Sequence, residues 1–418
     1  MYKSILVVLL VFLSFQLLAQ DKTVWNFDGQ VQLRSELDGR DFSNKTYPLT
    51  FTSMRTRIGL NAAISDKICL YAQAQDSRIF GEEPNVTSSI KNLDLHQGFV
   101  RLIEPLDLPL SVQAGRFEMV YGTERFFGAG PWTYTGRSFD GVKFSFGKEF
   151  KLDLFALSTY QGTFYVTSAA PSAYNYPVKS DTSSSIYGFW FNDKLCSGNI
   201  IDVFSFYDIS RKQTNNKDDD SKAATFGFNH TGNYGAFSSL TEGAYQTGRK
   251  AGIYLSAYLV SIQGFYEVDA FKAGLGADIL SGSNPVNKDR NNTFYCLYGT
   301  THRFYGSMDY FYKTPSTTYN RGLNDYYLTL KFAPKEYNFA FGANVHSLSA
   351  NSRSLVSGLD LGKEVDLTAS YNFVKRTTIT WGGSLFFPGT LMKSYFNTSK
   401  GSRDDTSFWS YLMITANF

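Results

Sequence analysis

The sequence predicts an all-β protein, a transmembrane antiparallel up-and-down β-barrel of about 18 strands, the even parity being that of bacterial single-chain barrels. Three observations carry this expectation. Apolar and polar residues alternate with a period of two through segment after segment, the pattern of strands with one oily and one wetter face. The connections between segments sort into tight turns and long polar loops. The only long apolar run, residues 4–19, stands at the N-terminus.

That run follows Lys3 and ends at Ala19-Gln20-Asp21. It is too short and wrongly flanked for a membrane span, and reads as a secretory signal peptide over residues 1–20. No later segment approaches the roughly 18 apolar residues that a membrane helix needs. Residues 21–418 are then a single exported domain, with no linker dividing it.

The staves follow in order. Trp25, Phe27, Val31, Leu33 and Leu37 alternate with Asn26, Asp28, Gln30, Gln32, Arg34 and Glu36. Residues 50–64 set Met54, Ile58, Leu60 and Ala62 against Arg55, Arg57 and Asn61, and residues 67–79 set Leu70, Ala72 and Ala74 against Tyr71, Gln73 and Gln75. Later, Phe271, Ala273, Leu275, Ala277 and Ile279 oppose Lys272, Gly274, Gly276 and Asp278. Val365, Leu367, Ala369, Tyr371 and Phe373 oppose Glu364, Asp366, Thr368, Ser370 and Asn372. The last stave places Leu412, Ile414, Ala416 and Phe418 on one side and Tyr411, Thr415 and Asn417 on the other. A final strand of this kind closes on the first, because an open edge in lipid leaves backbone groups unpaired.

Tight turns are expected at residues 65–66, 146–149 and 333–336. Long loops are expected at 38–49, 122–138, 161–182, 209–221, 351–359 and 388–405. Short turns at one end and long loops at the other are the outer-membrane arrangement. Residues 281–322 are ambiguous: two further strands at 293–298 and 302–312 would raise the count to about 20. Their crowding with Tyr and Phe and their poor alternation favour one folded extracellular excursion instead.

Composition agrees. The chain has 28 Tyr and 37 Phe, a supply suited to the aromatic girdles of a barrel in a bilayer. A net charge of +3 argues against a nucleic-acid partner. Cys69, Cys196 and Cys296 are sparse and odd in number, hence no disulfide framework, and read as small buried or lipid-facing residues. Asp218, Asp219 and Asp220 lack calcium-loop spacing and read as a solvated loop. No metal or cofactor is expected.

The inner wall is expected to carry the chemistry. A turn at 65–66 brings Arg57 beside Gln73 and Gln75, and the first hairpin brings Gln30 and Gln32 beside Arg57 and Arg55. Guanidinium forks suit carboxylates and amides suit sugar hydroxyls, although such a ladder can also simply stiffen the wall. Strict phase would carry Arg116 and Glu118 into lipid, where a cation costs roughly 2–4 kcal/mol. A bulge near Gly115 that turns both into the lumen is therefore expected. The aromatic, Gly-rich loop after it, with Arg125 and Trp132, can fold inward and narrow the pore. Trp132 is either a stacking surface for a sugar ring or an anchor at the rim. Arg34, Arg55, Arg57 and Arg116 lie on early staves, Glu242, Asp278, Glu364 and Asp366 on later ones. That split gives a field across the pore rather than a uniformly positive tunnel.

The runs YAQAQDSRIFG (71–81), DLHQGFV (94–100), AGRFEMVYGTERFFG (114–128), RSFDGVKF (137–144), EGAYQTG (242–248), LGADILSGS (275–283) and YGTTHRFYGSMDYF (298–311) resemble, in order, signature blocks of the alginate-export family of outer-membrane proteins. The resemblance covers nearly all of the exported chain. It implies a monomeric barrel whose lumen passes an anionic exopolysaccharide past basic residues. The matching positions are Arg78, Arg116 and Arg125, with Gln75, Asp76, His96 and Asp140 as polar companions.

Three functions compete. The first is an outer-membrane channel or porin, not an enzyme, for polar or anionic solutes of the (poly)saccharide class, working by diffusion with a possible periplasmic export partner. The second is a plugged structural or adhesive barrel, with residues 281–322 as the plug. The third is a lipid-modifying enzyme, which needs a Ser–His pair at the lipid face or rim. His96, His230, His302 and His346 show no nucleophile motif, and His346 shares the inward phase of Asn344.

Overall fold

The computed structural model describes residues 23–87, 92–147, 150–160, 183–211, 221–284, 289–352, 358–396 and 404–418. The expected signal peptide, the loop at 161–182 and the acidic run at 218–220 lie outside the described residues. Strands begin where alternation begins. They are Val24–Gly39 (β1), Leu49–Ala63 (β2), Ile68–Ile79 (β3), Leu93–Ile103 (β4), Leu110–Phe117 (β5) and Phe139–Phe146 (β6). Lys151–Tyr160 (β7), Ser184–Cys196 (β8), Asn199–Ser210 (β9), Ser221–Tyr234 (β10), Phe237–Lys250 (β11) and Ile253–Val268 (β12) follow. Phe271–Leu280 (β13), Leu323–Phe332 (β14), Phe339–Ser349 (β15), Asp360–Val374 (β16), Thr377–Pro388 (β17) and Ser407–Asn417 (β18) complete the wall.

Each strand pairs antiparallel with its sequence neighbours, and β1 pairs with β18 from Gln30↔Asn417 to Gly39↔Phe408. Among the described residues this is a closed ring of eighteen strands, with a two-residue strand at Arg290–Asn291 attached in parallel to β12. No edge is left to hydrogen-bond elsewhere, which is what lets a sheet sit in lipid. Among the described residues no helix is long and apolar enough to cross a membrane.

Burial inverts the soluble pattern, in which the apolar face of a sheet fills the core. Phe271 and Leu275 are 64% and 70% exposed, while Asp278 on the same strand is 1% exposed. Leu367 and Tyr371 face out as well, and Glu364 and Asp366 face in. The apolar face therefore looks out of the barrel, and the polar face is buried within it.

Connections at the end that holds Val24 are short, at residues 64–67, 104–109, 197–198, 235–236, 269–270, 333–338 and 375–376. Those at the other end are long, at 40–48, 80–92, 118–138, 281–322, 350–359 and 389–406, except for the two-residue link at 251–252.

The described residues of 281–322 add no spanning strand, and they fold into the barrel rather than outside it. Phe294, Tyr305, Met308 and Phe311 are buried there, and the Met308 amide donates to Glu364 Oε1 on the wall at 2.8 Å. Aromatics this dense need cover, and the lumen supplies both apolar contact and carboxylate acceptors. Cys69 and Cys296 are partly buried and Cys196 is exposed at the end of β8, and all three are free thiols.

Candidate functional site

The basic ladder forms in the expected register, with Gln30 opposite Arg57 and Gln32 opposite Arg55. Arg55 Nη2 donates to Gln30 Oε1 at 2.7 Å, and Arg57 Nε to Gln75 Oε1 at 2.6 Å. Gln73 turns to Asp28 and Tyr71. Arg34 Nε donates to Glu36 Oε1 at 2.7 Å and Arg57 Nη1 to Glu118, while Arg57 Nη2 is buried without a hydrogen-bond partner among the described residues. Four other donors meet backbone. Arg34 Nη1 reaches the Trp132 carbonyl at 2.6 Å, Arg55 Nη1 the Thr133 carbonyl at 2.7 Å, Ser77 Oγ the Tyr134 carbonyl at 2.6 Å and Gln75 Nε2 the Thr135 carbonyl at 2.9 Å. Four consecutive carbonyls of the loop at 118–138 are thus held by β1, β2 and β3. A loop brought inside must have its peptide groups satisfied, and this is where the ladder's donors go.

The same loop crosses the lumen. Arg125 is 3% exposed and bonds Glu242 Oε2 on β11 at 2.7 Å, Ser261 Oγ on β12 at 3.1 Å and both oxygens of Asp278 on β13 at 3.1 and 3.2 Å. Its Nη1 also donates to Tyr305 Oη at 2.8 Å, in residues 281–322. Burial alone would lower the guanidinium's pKa, but Asp278, Tyr305 and Glu242 together raise it well above the ordinary value. Three of the residues expected from sequence, Arg125, Glu242 and Asp278, are one cluster.

Trp132 lies inside. Its indole stacks on His302 at 3.7 Å, and the Arg34 guanidinium sits 3.8 Å from the ring. Two groups at such spacing cannot share one side, so both faces are covered and no sugar can stack on them. Glu118 also faces in, bonding His96 Nε2 at 2.7 Å and Arg57 Nη1 at 3.1 Å.

Two basic positions lie on the outer face, contrary to expectation. Arg116 is opposite Gly98 and Asp140, in phase with the outward Val112 and Phe144, and pairs with Asp140 at 2.9 Å. The β4–β5 and β5–β6 registers run unbroken past Gly115, so no bulge turns Arg116 inward. The extra residue is His96 on β4, where pairing to β3 jumps from Gln73↔Gln97 to Ala74↔Leu95. Glu118 enters the lumen because β5 ends at Phe117, not because of a kink before it. Arg78 and Asp76 share the outward phase of Ala74 and bond each other, with Nη2–Oδ2 at 2.6 Å. In lipid-facing positions near the long-loop end, each guanidinium carries its own counter-charge.

The later staves hold an arrangement that sequence alternation did not reveal. His346 Nδ1 lies 2.9 Å from Asp325, its Nε2 lies 3.7 Å from Asp366, and Glu364 is opposite His346 in register. Asp366 Oδ2 accepts from the Ser307 amide at 3.3 Å, beside the Met308–Glu364 bond. These carboxylates anchor residues 281–322 as the arginines anchor residues 118–138. The inward phase of His346 was legible; its partners depend on strand register.

The family model described as alginate export matches residues 24–315. No curated protein gives a sequence match. Pseudomonas aeruginosa OccD3 (OpdP) is similar in structure, with TM-score 0.60 and 12% identity over 94% of this chain and 91% of that one. Acinetobacter baumannii OccAB4 gives TM-score 0.60 and 11% identity over 96% and 99%. Pseudomonas aeruginosa OccK8 (OprE) gives 0.59 and 11% over 94% and 98%. At such identity these likenesses speak to the fold alone.

Proposed function

The chain belongs to the alginate-export family and is a bacterial outer-membrane barrel, and from that premise we propose that it is a passive channel for polar solutes of the saccharide class. The observation that carries the reading is the inverted wall, apolar outside and polar within, enclosing a space that the loop at 118–138 crosses and narrows. A barrel of about 18 strands is wide enough for an aqueous passage. Solute selection then rests on lumenal groups, for which we put forward Arg55, Arg57, Gln73, Gln75, Glu118, Arg125, Glu242 and Asp278. The test is conductance of the purified protein in planar bilayers. Stable open-channel current supports the reading.

One observation favours a second reading. Phe126, Phe127, Phe294, Tyr305, Met308 and Phe311, all from the inward loops, are buried inside the barrel, as in a plugged wall. An electrically silent barrel would decide for it. The geometry offers less to an enzyme. Ser138 Oγ stands 3.3 Å from His96 Nδ1 and 3.5 Å from Nε2, a position aligned with neither lone pair, whereas a nucleophile and its base share one directed bond.

A further inference from the structure

We propose that the outer face of β10 to β12, at the long-loop end, binds a phosphorylated glycolipid of the outer leaflet, of the lipid A type. Four residues stand in one row across this face. Lys222 on β10 is opposite Arg249 on β11, Arg249 is opposite Tyr254 on β12, and Tyr254 pairs in parallel with Arg290 of the two-residue strand. Their chain neighbours Ala223, Lys250, Leu255 and Asn291 turn inward, Ala223 and Leu255 to buried positions, Lys250 to Asp208 and Asn291 to Tyr295. The row itself therefore looks out of the barrel.

Its guanidinium groups lack the counter-charges found elsewhere on the outer face. Arg78 and Arg116 each bond a carboxylate of the wall, Asp76 and Asp140. Arg249 instead donates from Nη2 to Tyr254 Oη at 2.7 Å and lies 4.3 Å from the centre of that ring. Among the described residues neither Arg249 nor Arg290 is ion-paired, and Arg290 is exposed. Like charges directly opposite each other oppose strand pairing, and an anion shared between them reverses the sign. Arg249 and Arg290 are two strand spacings apart, roughly 10 Å, which suits a headgroup with more than one phosphate. Arginine forks match phosphate oxygens. The Tyr254 hydroxyl, accepting from Arg249, keeps its own proton to donate.

Position along the strands points to a lipid. Phe226, Tyr245 and Tyr258 form a second outward row, opposite one another in register and half-exposed. Each lies four residues further down the wall than the cationic row, about 13 Å along the strands. Outward rings of this kind mark the hydrocarbon boundary of a barrel, so the cations stand where headgroups begin. Between the two rows are the small side chains of Ala224, Thr247 and Ser256. They leave a shallow ledge for a sugar headgroup whose acyl chains run down over the rings. The site is on the outside of the wall and does not depend on the channel reading.

Exposed cations at a rim can also be merely solvated, so the test must separate the two. Binding of diphosphoryl lipid A, monophosphoryl lipid A and phosphatidylglycerol to detergent-solubilised, lipid-stripped protein is measured by native mass spectrometry. The native protein is compared with Arg249→Gln, Arg290→Gln and Lys363→Gln. Lys363 is an exposed lysine of β16 that shares the outward phase of Leu367 but lies outside the row. We expect diphosphoryl lipid A to bind most tightly, about tenfold above the monophosphoryl form. Arg249→Gln and Arg290→Gln should each weaken it about tenfold and erase that preference, and Lys363→Gln should do neither. Arg290 makes no side-chain bond among the described residues, so its variant decides the matter even where Arg249→Gln fails to fold. Equal binding of the two lipid A forms, tightest binding of phosphatidylglycerol, or equal losses in Arg290→Gln and Lys363→Gln overturns the site and leaves a solvated rim only.

Discussion

Arg125 reaches across the lumen and grips Asp278 with both arms of its guanidinium, Nη1 to Oδ2 at 3.1 Å and Nη2 to Oδ1 at 3.2 Å. A loop residue and a residue of the opposite wall are thereby fixed to each other. Removing one partner of a buried pair leaves the other charge stranded, at a cost of about 3–5 kcal/mol. Arg125→Ala strands two, since Glu242 is also its partner. The expected outcome is a loop released from β11 and β13, seen as larger and noisier single-channel conductance and a lower unfolding temperature of the folded gel band. Arg125→Lys should rescue little, because an ammonium cannot reproduce the planar fork. Conductance and stability equal to the native protein's would remove the clamp.

The outward placement of Arg116 makes a sharp electrical prediction. Arg116→Ala should leave the reversal potential in a salt gradient unchanged, since the side chain stands on the lipid face beside Asp140. Arg303→Glu should shift it towards cations, because that side chain is half-exposed and lines the lumenal cavity. The opposite ranking would reverse the assignment of faces on β5.

The wall was legible because a strand in lipid writes its two faces into every second residue, as Phe271 to Ile279 and Val365 to Phe373 show. Arg116 was misread although strict phase placed it outward, because the midplane cost does not apply to a residue next to the end of β5 that has Asp140 as its counter-charge. The irregularity that admits Glu118 is the end of β5, and the bulge sits on β4 at His96. Nothing in the residues around Gly115 encodes either. The docking of the loop on the ladder was equally hidden, since the acceptors that Arg34, Arg55, Gln75 and Ser77 find there are backbone carbonyls of residues 132–135, which have no side-chain signature. Inward folding of residues 281–322 depends on Glu364 and Asp366, two strands away in the ring, and their supply of acceptors shows only in register.

Leu367 and Thr368 are adjacent on β16 and face opposite ways, opposite Ala343 and Gly342 respectively. Leu367→Arg places a cation on the apolar face, at roughly 2–4 kcal/mol near the bilayer midplane. Thr368→Arg places it in the polar interior, where water and carboxylates receive it. The first should strongly reduce the heat-modifiable, membrane-inserted fraction and the second should reduce it little. Equal loss would mean that inside and outside are exchanged.

Thiol labelling tests the inward course of residues 281–322 directly. Cys296 lies on that segment with Sγ 3.8 Å from Tyr305 Oη, and burial pushes its thiol up to about 11, against a smaller opposing effect of the Tyr305 hydroxyl and Arg125. The thiolate is the reactive form, and with a raised value it is scarce at every pH below the shifted one. Cys196, exposed at the β8–β9 turn, has no such protection. A maleimide added to the folded, detergent-solubilised protein at pH 7 should therefore modify Cys196 quickly and Cys296 slowly. Raising the pH to 9 should narrow the gap only slightly, since that is still below the shifted value, and unfolding in denaturant should abolish it. Equal rates in the folded protein would place Cys296 and the segment around it outside the barrel.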